Sequence, residues 1–350
     1  MGGPSGHSSV AEHMHYAQLT LMFHHQPARR VTDNVAIDEQ MLVMPEEPSI
    51  KGLTNVNMRG GDYGKFTWTV DGDDFTKQYL PPALAELEAP PELMLAQMDY
   101  AGVDRAMLQT GHVYGRLNGY LADAVHRYPH RFWALAMVDE WRADDPVQIR
   151  ELERAIRDLG LHALWFQSSG PRQHRRTEVL DDPVFHPFWD RVKDLGIPVF
   201  WFVTSAFPGV EPYLAELAAF GRWLRRYPDV PVVLTHGLLL SRFMEDGQVR
   251  IPEEAWRPLE SPNVSAELLF PIFQGGVWDY PYKEARPVIR EYYERMGADR
   301  LMWGSDMPNV ERHCTYRQSL DYLRQYCDFI PPEDMAKICG GNLARLFGEA

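Results

Sequence analysis

Cysteine is scarce in this chain of 350 residues: Cys314, Cys327 and Cys339 stand far apart, with no Cys-x-x-Cys pair among them. A disulfide framework and a zinc knuckle are thereby excluded, and a reducing cytoplasm is the expected compartment. No apolar run approaches the roughly 20 residues that cross a bilayer. The start, Met-Gly-Gly-Pro-Ser-Gly-His-Ser-Ser, has no basic stretch leading into an apolar core, so no secretory signal is expected. Positive charge is also short: 35 Lys and Arg face 49 Asp and Glu, for a net charge of -14 and an isoelectric point near 5.4. Sequence-independent nucleic-acid binding needs clustered cations to displace counterions from phosphate, and this balance argues against it. Internal repeats and low-complexity tracts are missing as well. These absences leave neither a membrane nor a nucleic acid as partner, and favour an enzyme with a small-molecule substrate.

What the chain does have is alternation. Short β-rich runs and amphipathic helical stretches follow one another from about residue 35, the pattern of a parallel sheet with crossover helices. The runs predict eight strands: Val35 to Val43, Val103 to Gln109, Phe132 to Val138, His162 to Phe166, Pro198 to Val203, Val230 to Thr235, Val264 to Leu268 and Arg300 to Gly304. Eight parallel strands favour a closed (β/α)8 TIM barrel over an open sheet. Proline at the start and glycine just past the end mark a helix over Pro91 to Ala101, closed by Gly102. Val147 to Leu159 before Gly160, and Arg286 to Met296 before Gly297, read the same way. Residues 1–34 are expected to be an N-terminal extension and 35–350 a single barrel. A long insertion over 44–90 then serves as a lid or a subunit contact.

The segment Arg300-Leu-Met-Trp-Gly-Ser-Asp306-Met-Pro308 is an apolar strand that stops at a small turn and delivers a carboxylate there. Barrel chemistry sits at the C-terminal ends of strands, so Asp306 is a candidate for binding a metal or moving a substrate proton. This string, with Leu95-Ala-Gln-Met-Asp-Tyr-Ala-Gly-Val-Asp-Arg105, Tyr128-Pro-His-Arg-Phe132, Leu234-Thr-His-Gly237 and Gly340-Gly-Asn-Leu-Ala-Arg-Leu-Phe347, resembles the amidohydrolase-related (amidohydrolase-2) family that includes aminocarboxymuconate-semialdehyde decarboxylase. The likeness runs in order from about residue 35 to 347.

The resemblance implies a divalent metal held by a His-x-His pair on the first strand, a His on the fifth and the Asp on the eighth, with a further His after the sixth assisting the chemistry. Imidazoles and carboxylates on converging strand ends fix a cation while leaving a position open for water or substrate. On that alignment Asp306 and His236 match, while Glu39 and Met41 stand where the first-strand pair would be and Phe202 replaces the fifth-strand His. The expected ligands are therefore Glu39, His236 and Asp306, a hard set suited to manganese or iron more than to zinc, and held weakly or not at all in this chain. His112, Glu140 and Glu267 are possible recruits. His13-Met-His15 has the right spacing but lacks the strand and Ile-Asp lead-in present at Ile37-Asp38. His236 and Asp306 are the catalytic candidates, and Arg116, Trp201 and Phe202 the substrate-binding ones.

Two functions are compatible with a depleted site. One is a component of a heteromeric metal-dependent enzyme, as in the family's amine N-hydroxylase-type branch, paired with a homologous barrel that keeps the full ligand set. The other is a stand-alone decarboxylase or hydrolase of a small, aromatic carboxylic acid that uses Glu39, His236 and Asp306. Either implies an oligomer or a small-molecule enzyme of the oxidoreductase, lyase or hydrolase kind.

Overall fold

The computed structural model describes residues 16–20, 59–60, 62–70, 73–85, 89–111, 117–174, 176–207, 209–269 and 278–348. Eight strands form one sheet in chain order. They are β1 Tyr16–Thr20, β2 Arg105–Gln109, β3 Phe132–Ala136, β4 Ala163–Gln167, β5 Val199–Phe202, β6 Val232–Leu234, β7 Val264–Leu268 and β8 Leu301–Trp303. Every neighbouring pair is parallel. Strands β2 to β6 are buried along their whole length, which is why they read as near-continuous apolar runs: side chains on one face fill the barrel and those on the other meet helices. The architecture is the α/β TIM-barrel fold that the alternation predicts.

One strand is not where the sequence placed it. The sheet's first position is taken by Tyr16–Thr20, paired residue for residue with Arg105–Gln109, rather than by Val35 to Val43. Residues 35–43 lie outside the described ones, as does most of the segment read as an extension. The physical reason is that Tyr-Ala-Gln-Leu-Thr is short and half polar, and its partner is 89 residues away in sequence at the first register pair, Tyr16 with Arg105. Local β-preference is greater in Val35 to Val43, and pairing over such a distance leaves no local mark.

The long helices follow their strands: α1 Pro91–Ala101, α2 Asn118–Arg127, α3 Pro146–Arg157, α4 His186–Leu195, α5 Val210–Arg226, α6 Arg286–Met296 and α7 Tyr316–Tyr326. Local chemistry sets their ends. Pro91 opens α1 and Gly102, at φ 71°, closes it by donating to Asp99 and Met98 carbonyls. Asp145 caps α3 by accepting from the Val147 N–H, and Thr315 with Gln318 forms a reciprocal capping box on α7.

Between β1 and α1, the insertion carries a three-stranded antiparallel sheet over residues 59–60, 65–70 and 73–78. Gln78 Nε2 donates to the carbonyls of Tyr63 and Leu80 at 2.6 and 2.7 Å, closing the sheet's base. Leu80 and Leu84 are buried, and the Arg312 guanidinium lies 5.8 Å over the Tyr79 ring. The insertion is thus packed onto the segment that follows β8.

Helix α5 buries a carboxyl, Glu216, and that burial pushes its pKa from an ordinary 4.5 up to about 7, against the pull of Arg172 and Arg222. A pKa raised by folding means stability that is complete below pH 4.5 and lost as pH rises through about 7. Glu216→Gln is therefore expected to be more stable than wild type at pH 8 by on the order of 1 to 3 kcal/mol, with the gain vanishing near pH 4. Thermal unfolding across that range measures it. Parallel curves for the two proteins would mean that folding leaves the ionisation of Glu216 unchanged.

Candidate active site

Three successive strands, β6, β7 and β8, bring polar side chains to their C-terminal ends. His236 comes two residues after β6, Glu267 is the fourth residue of β7, and Asp306 comes three residues after β8. His236 has φ 66° and Asp306 φ 50°, both in the left-handed region that non-glycine residues avoid. Such conformations cost about 1 to 3 kcal/mol each and persist where the surroundings enforce them, commonly at functional sites.

The surroundings here are specific. Glu267, 1% exposed, accepts the His236 backbone N–H on Oε2 at 2.6 Å, and the same oxygen lies 3.4 Å from His236 Nδ1. The Phe202 ring, from the end of β5, tilts against the imidazole with centroids 4.5 Å apart. Asp306 is 4% exposed, and its Oδ2 accepts from Asn309 Nδ2 at 3.2 Å. The Asp306 carbonyl also accepts from the Val310 N–H at 3.1 Å, so the turn after β8 is held at two points.

A second polar group lies at the ends of β4 and β5. Gln167 Nε2 donates to Ser169 Oγ at 2.8 Å, and Thr204 Oγ1 donates to the same hydroxyl at 2.5 Å. Ser168 Oγ donates to the Thr204 carbonyl at 2.7 Å while accepting the Thr204 N–H at 2.8 Å. Glu140, fully buried, accepts the Gln167 N–H at 3.1 Å and so fastens the loop after β3 to the end of β4. Arg142 is engaged by Asp145 at 2.6 Å and Asp139 at 3.9 Å.

Of the expected site residues, the structure joins His236 to Phe202 and places Asp306 at a strand end. Trp201 is a correction. Its ring stacks on Trp189 at 5.0 Å, meets Trp223 edge-on at 4.7 Å and touches Phe220, so it belongs to the layer between β5 and the helices α4 and α5 rather than to the substrate. Side chains alternate across a strand, so with Phe202 beside His236 its predecessor faces the other way. Glu39, Met41, His112 and Arg116 lie outside the described residues. Sequence reasoning missed Asn309 as the group holding Asp306, although an Asn three residues on, across a turn, was a readable signal. It named Glu267 only as a metal recruit; its bond to the His236 backbone has no trace in spacing.

The donor chemistry bears on a metal. Among the described residues no three His, Cys, Asp or Glu side chains converge to hold an ion. His236 and Asp306 are the donors of the expected set that the structure describes, and Glu267 is bonded to His236, so the described residues alone do not compose a divalent site.

A family model described as Amidohydrolase matches residues 13–348. The chain belongs to the amidohydrolase family. It is accordingly an enzyme, and the match takes in Tyr16–Thr20 as well as the seven later strands. Among curated proteins it is similar to an L-fucono-1,5-lactonase from Burkholderia ambifaria, 26% identical over 286 residues that cover 78% of this chain and 85% of the relative. In fold it is similar to a probable 2-pyrone-4,6-dicarboxylic acid hydrolase from Acinetobacter baumannii with citric acid bound, at 18% identity and a TM-score of 0.58, covering 75% of this chain and 90% of that one. It is also similar to a dihydroxybenzoic acid decarboxylase from a Polaromonas species with bound manganese and the inhibitor 2-nitroresorcinol, at 18% identity and a TM-score of 0.56, covering 75% of this chain and 86% of that one. No described helix is long and apolar enough to cross a membrane.

Proposed function

We propose that this chain hydrolyses the ring ester of a small organic acid, a lactone, at the mouth formed by β6, β7 and β8. The observation that carries the reading is His236, two residues beyond β6 and backed by a buried carboxylate, with Asp306 three residues beyond β8. Two relatives named as acting on ring esters or their acids support it, one by sequence and one by fold. His236 takes a proton from water, and Asp306 orients that water by accepting its other hydrogen. The water oxygen then attacks the ester carbonyl, the ring C–O bond breaks, and the proton held by the imidazole passes to the departing alkoxide. The product is the open hydroxy acid, and atoms balance with water as the only co-reactant. Phe202 supplies an apolar wall against the imidazole in place of a fifth-strand ligand.

Glu39, His236 and Asp306, the ligands expected from the sequence, would hold manganese, iron or zinc; metal analysis of wild type against Asp306→Ala measures whether they do. Hydrolysis of a neutral lactone releases a proton, so a pH-indicator assay over a panel of sugar-acid lactones and pyrones reads the activity directly. His236→Asn is expected to lower the rate by about 10²- to 10⁴-fold, the usual contribution of a positioned general base. Release of carbon dioxide from a carboxylated aromatic, with no lactone opened, would replace this reading by a decarboxylase. A second reading, in which this barrel is the lesser partner of a heteromeric N-hydroxylase-type enzyme, is favoured by Phe202, which lies against His236 and stands where the resemblance implies a fifth-strand ligand. Copurification with a homologous barrel and no lactone opening by the isolated chain would favour it.

A further inference from the structure

Glu267 is a charged side chain inside a strand, 1% exposed, on the strand between those that carry His236 and Asp306. Burying a carboxylate is unfavourable by several kcal/mol unless hydrogen bonds offset it. An apolar residue would fill the same space at lower cost, so the position calls for an account of what the charge does. Two glycines make room for it. A Cβ on Gly304 would lie 1.5 Å from Glu267 Oε1 and 2.3 Å from its Cδ, so the side chain of Glu267 crosses β8 through the space where that residue has no side chain. Gly237, at φ 66°, comes so close to the Glu267 backbone that a Cβ there would lie 2.8 Å from its carbonyl oxygen. One residue therefore fits against both flanking segments, through its side chain and its main chain.

We infer that Glu267 is the positioning residue of the site: its carboxylate pins His236 in the left-handed turn and draws the Nδ1–H toward itself, leaving the Nε2 lone pair to take the proton of the attacking water. The bond from the backbone N–H, at 2.6 Å, fixes where the imidazole starts, and the longer 3.4 Å approach of Nδ1 to the same oxygen selects the tautomer. The Phe202 ring on the imidazole closes off rotation to that side. Glu267 itself touches neither water nor substrate in this scheme.

The inference rests on the reading of His236 as the base, and a spectroscopic test separates the two. In full-length protein labelled with ¹⁵N-histidine, with His236 assigned by its loss in His236→Asn, the ring nitrogens report the tautomer where the imidazole is neutral. Wild type is expected to show the Nδ1–H form. Glu267→Leu is expected to revert to the Nε2–H form that imidazole prefers in water. Glu267→Gln keeps an acceptor and should keep the tautomer while losing the charge that stabilises the imidazolium. Its kcat on a lactone identified by the panel is expected to fall about 10- to 100-fold, as for other partners that orient a functional histidine, with KM nearly unchanged. An unaltered tautomer in Glu267→Leu, or an unaltered kcat in Glu267→Gln, overturns the inference, and the second variant carries the test if the first does not fold. Full turnover in His236→Asn would instead sink the base reading and leave the tautomer result standing.

Discussion

Asp306→Asn is expected to fold as wild type does and to lose about 10³-fold or more in kcat/KM, within the range set by removing a positioned proton-transfer or water-binding group. Asparagine is the informative replacement because of the backbone. At φ 50° an alanine would add conformational strain to the loss of the carboxylate, whereas Asn tolerates the left-handed region well and keeps an oxygen for the Asn309 amide. A fall in activity with an unchanged unfolding temperature then belongs to the chemistry alone. Retention of more than about a tenth of wild-type kcat/KM would reassign Asp306 to holding the turn after β8, a role in which charge is unnecessary.

Gly304→Ala is expected to cause a large loss of stability, about 3 kcal/mol. Overpacking a well-filled interior usually costs about 1 to 3 kcal/mol, and here the added carbon would sit 1.5 Å from a carboxylate oxygen in a strand that cannot move without its neighbours. The cause is testable by a double-mutant cycle. Glu267→Ala in the Gly304→Ala background should recover much of the lost stability, giving a coupling of about 1 kcal/mol or more between the two positions. Additive effects would show that the clash is relieved by some route other than Glu267. Denaturant unfolding of the four proteins supplies the numbers.

The sequence was most legible where punctuation is chemical. Helix α1 begins at a proline and α6 carries one at its second position, both end before a glycine, and their limits follow from those residues. Strand β7 was read to the residue, its start marked by the polar turn Ser261-Pro-Asn263. Strand β1 was misplaced because five residues of mixed polarity owe their strand form to β2 rather than to themselves. The same division runs through the site. Asp306 and His236 announce themselves as polar residues that end apolar strands, whereas Glu267 is legible only once Gly304 and Gly237 are seen to surround it. Trp201 and Phe202 are adjacent aromatic residues, and assigning one to the core and the other to the imidazole required only the two-residue period of a strand.

The left-handed backbone at both His236 and Asp306 sets the interests of the fold against those of the reaction. Glycine at either position would relax the main chain and abolish the side chain that the chemistry uses. A laboratory evolution scored on heat resistance alone would thus find early gains by erasing the proposed site, and a library built on this barrel needs turnover in its selection from the first round.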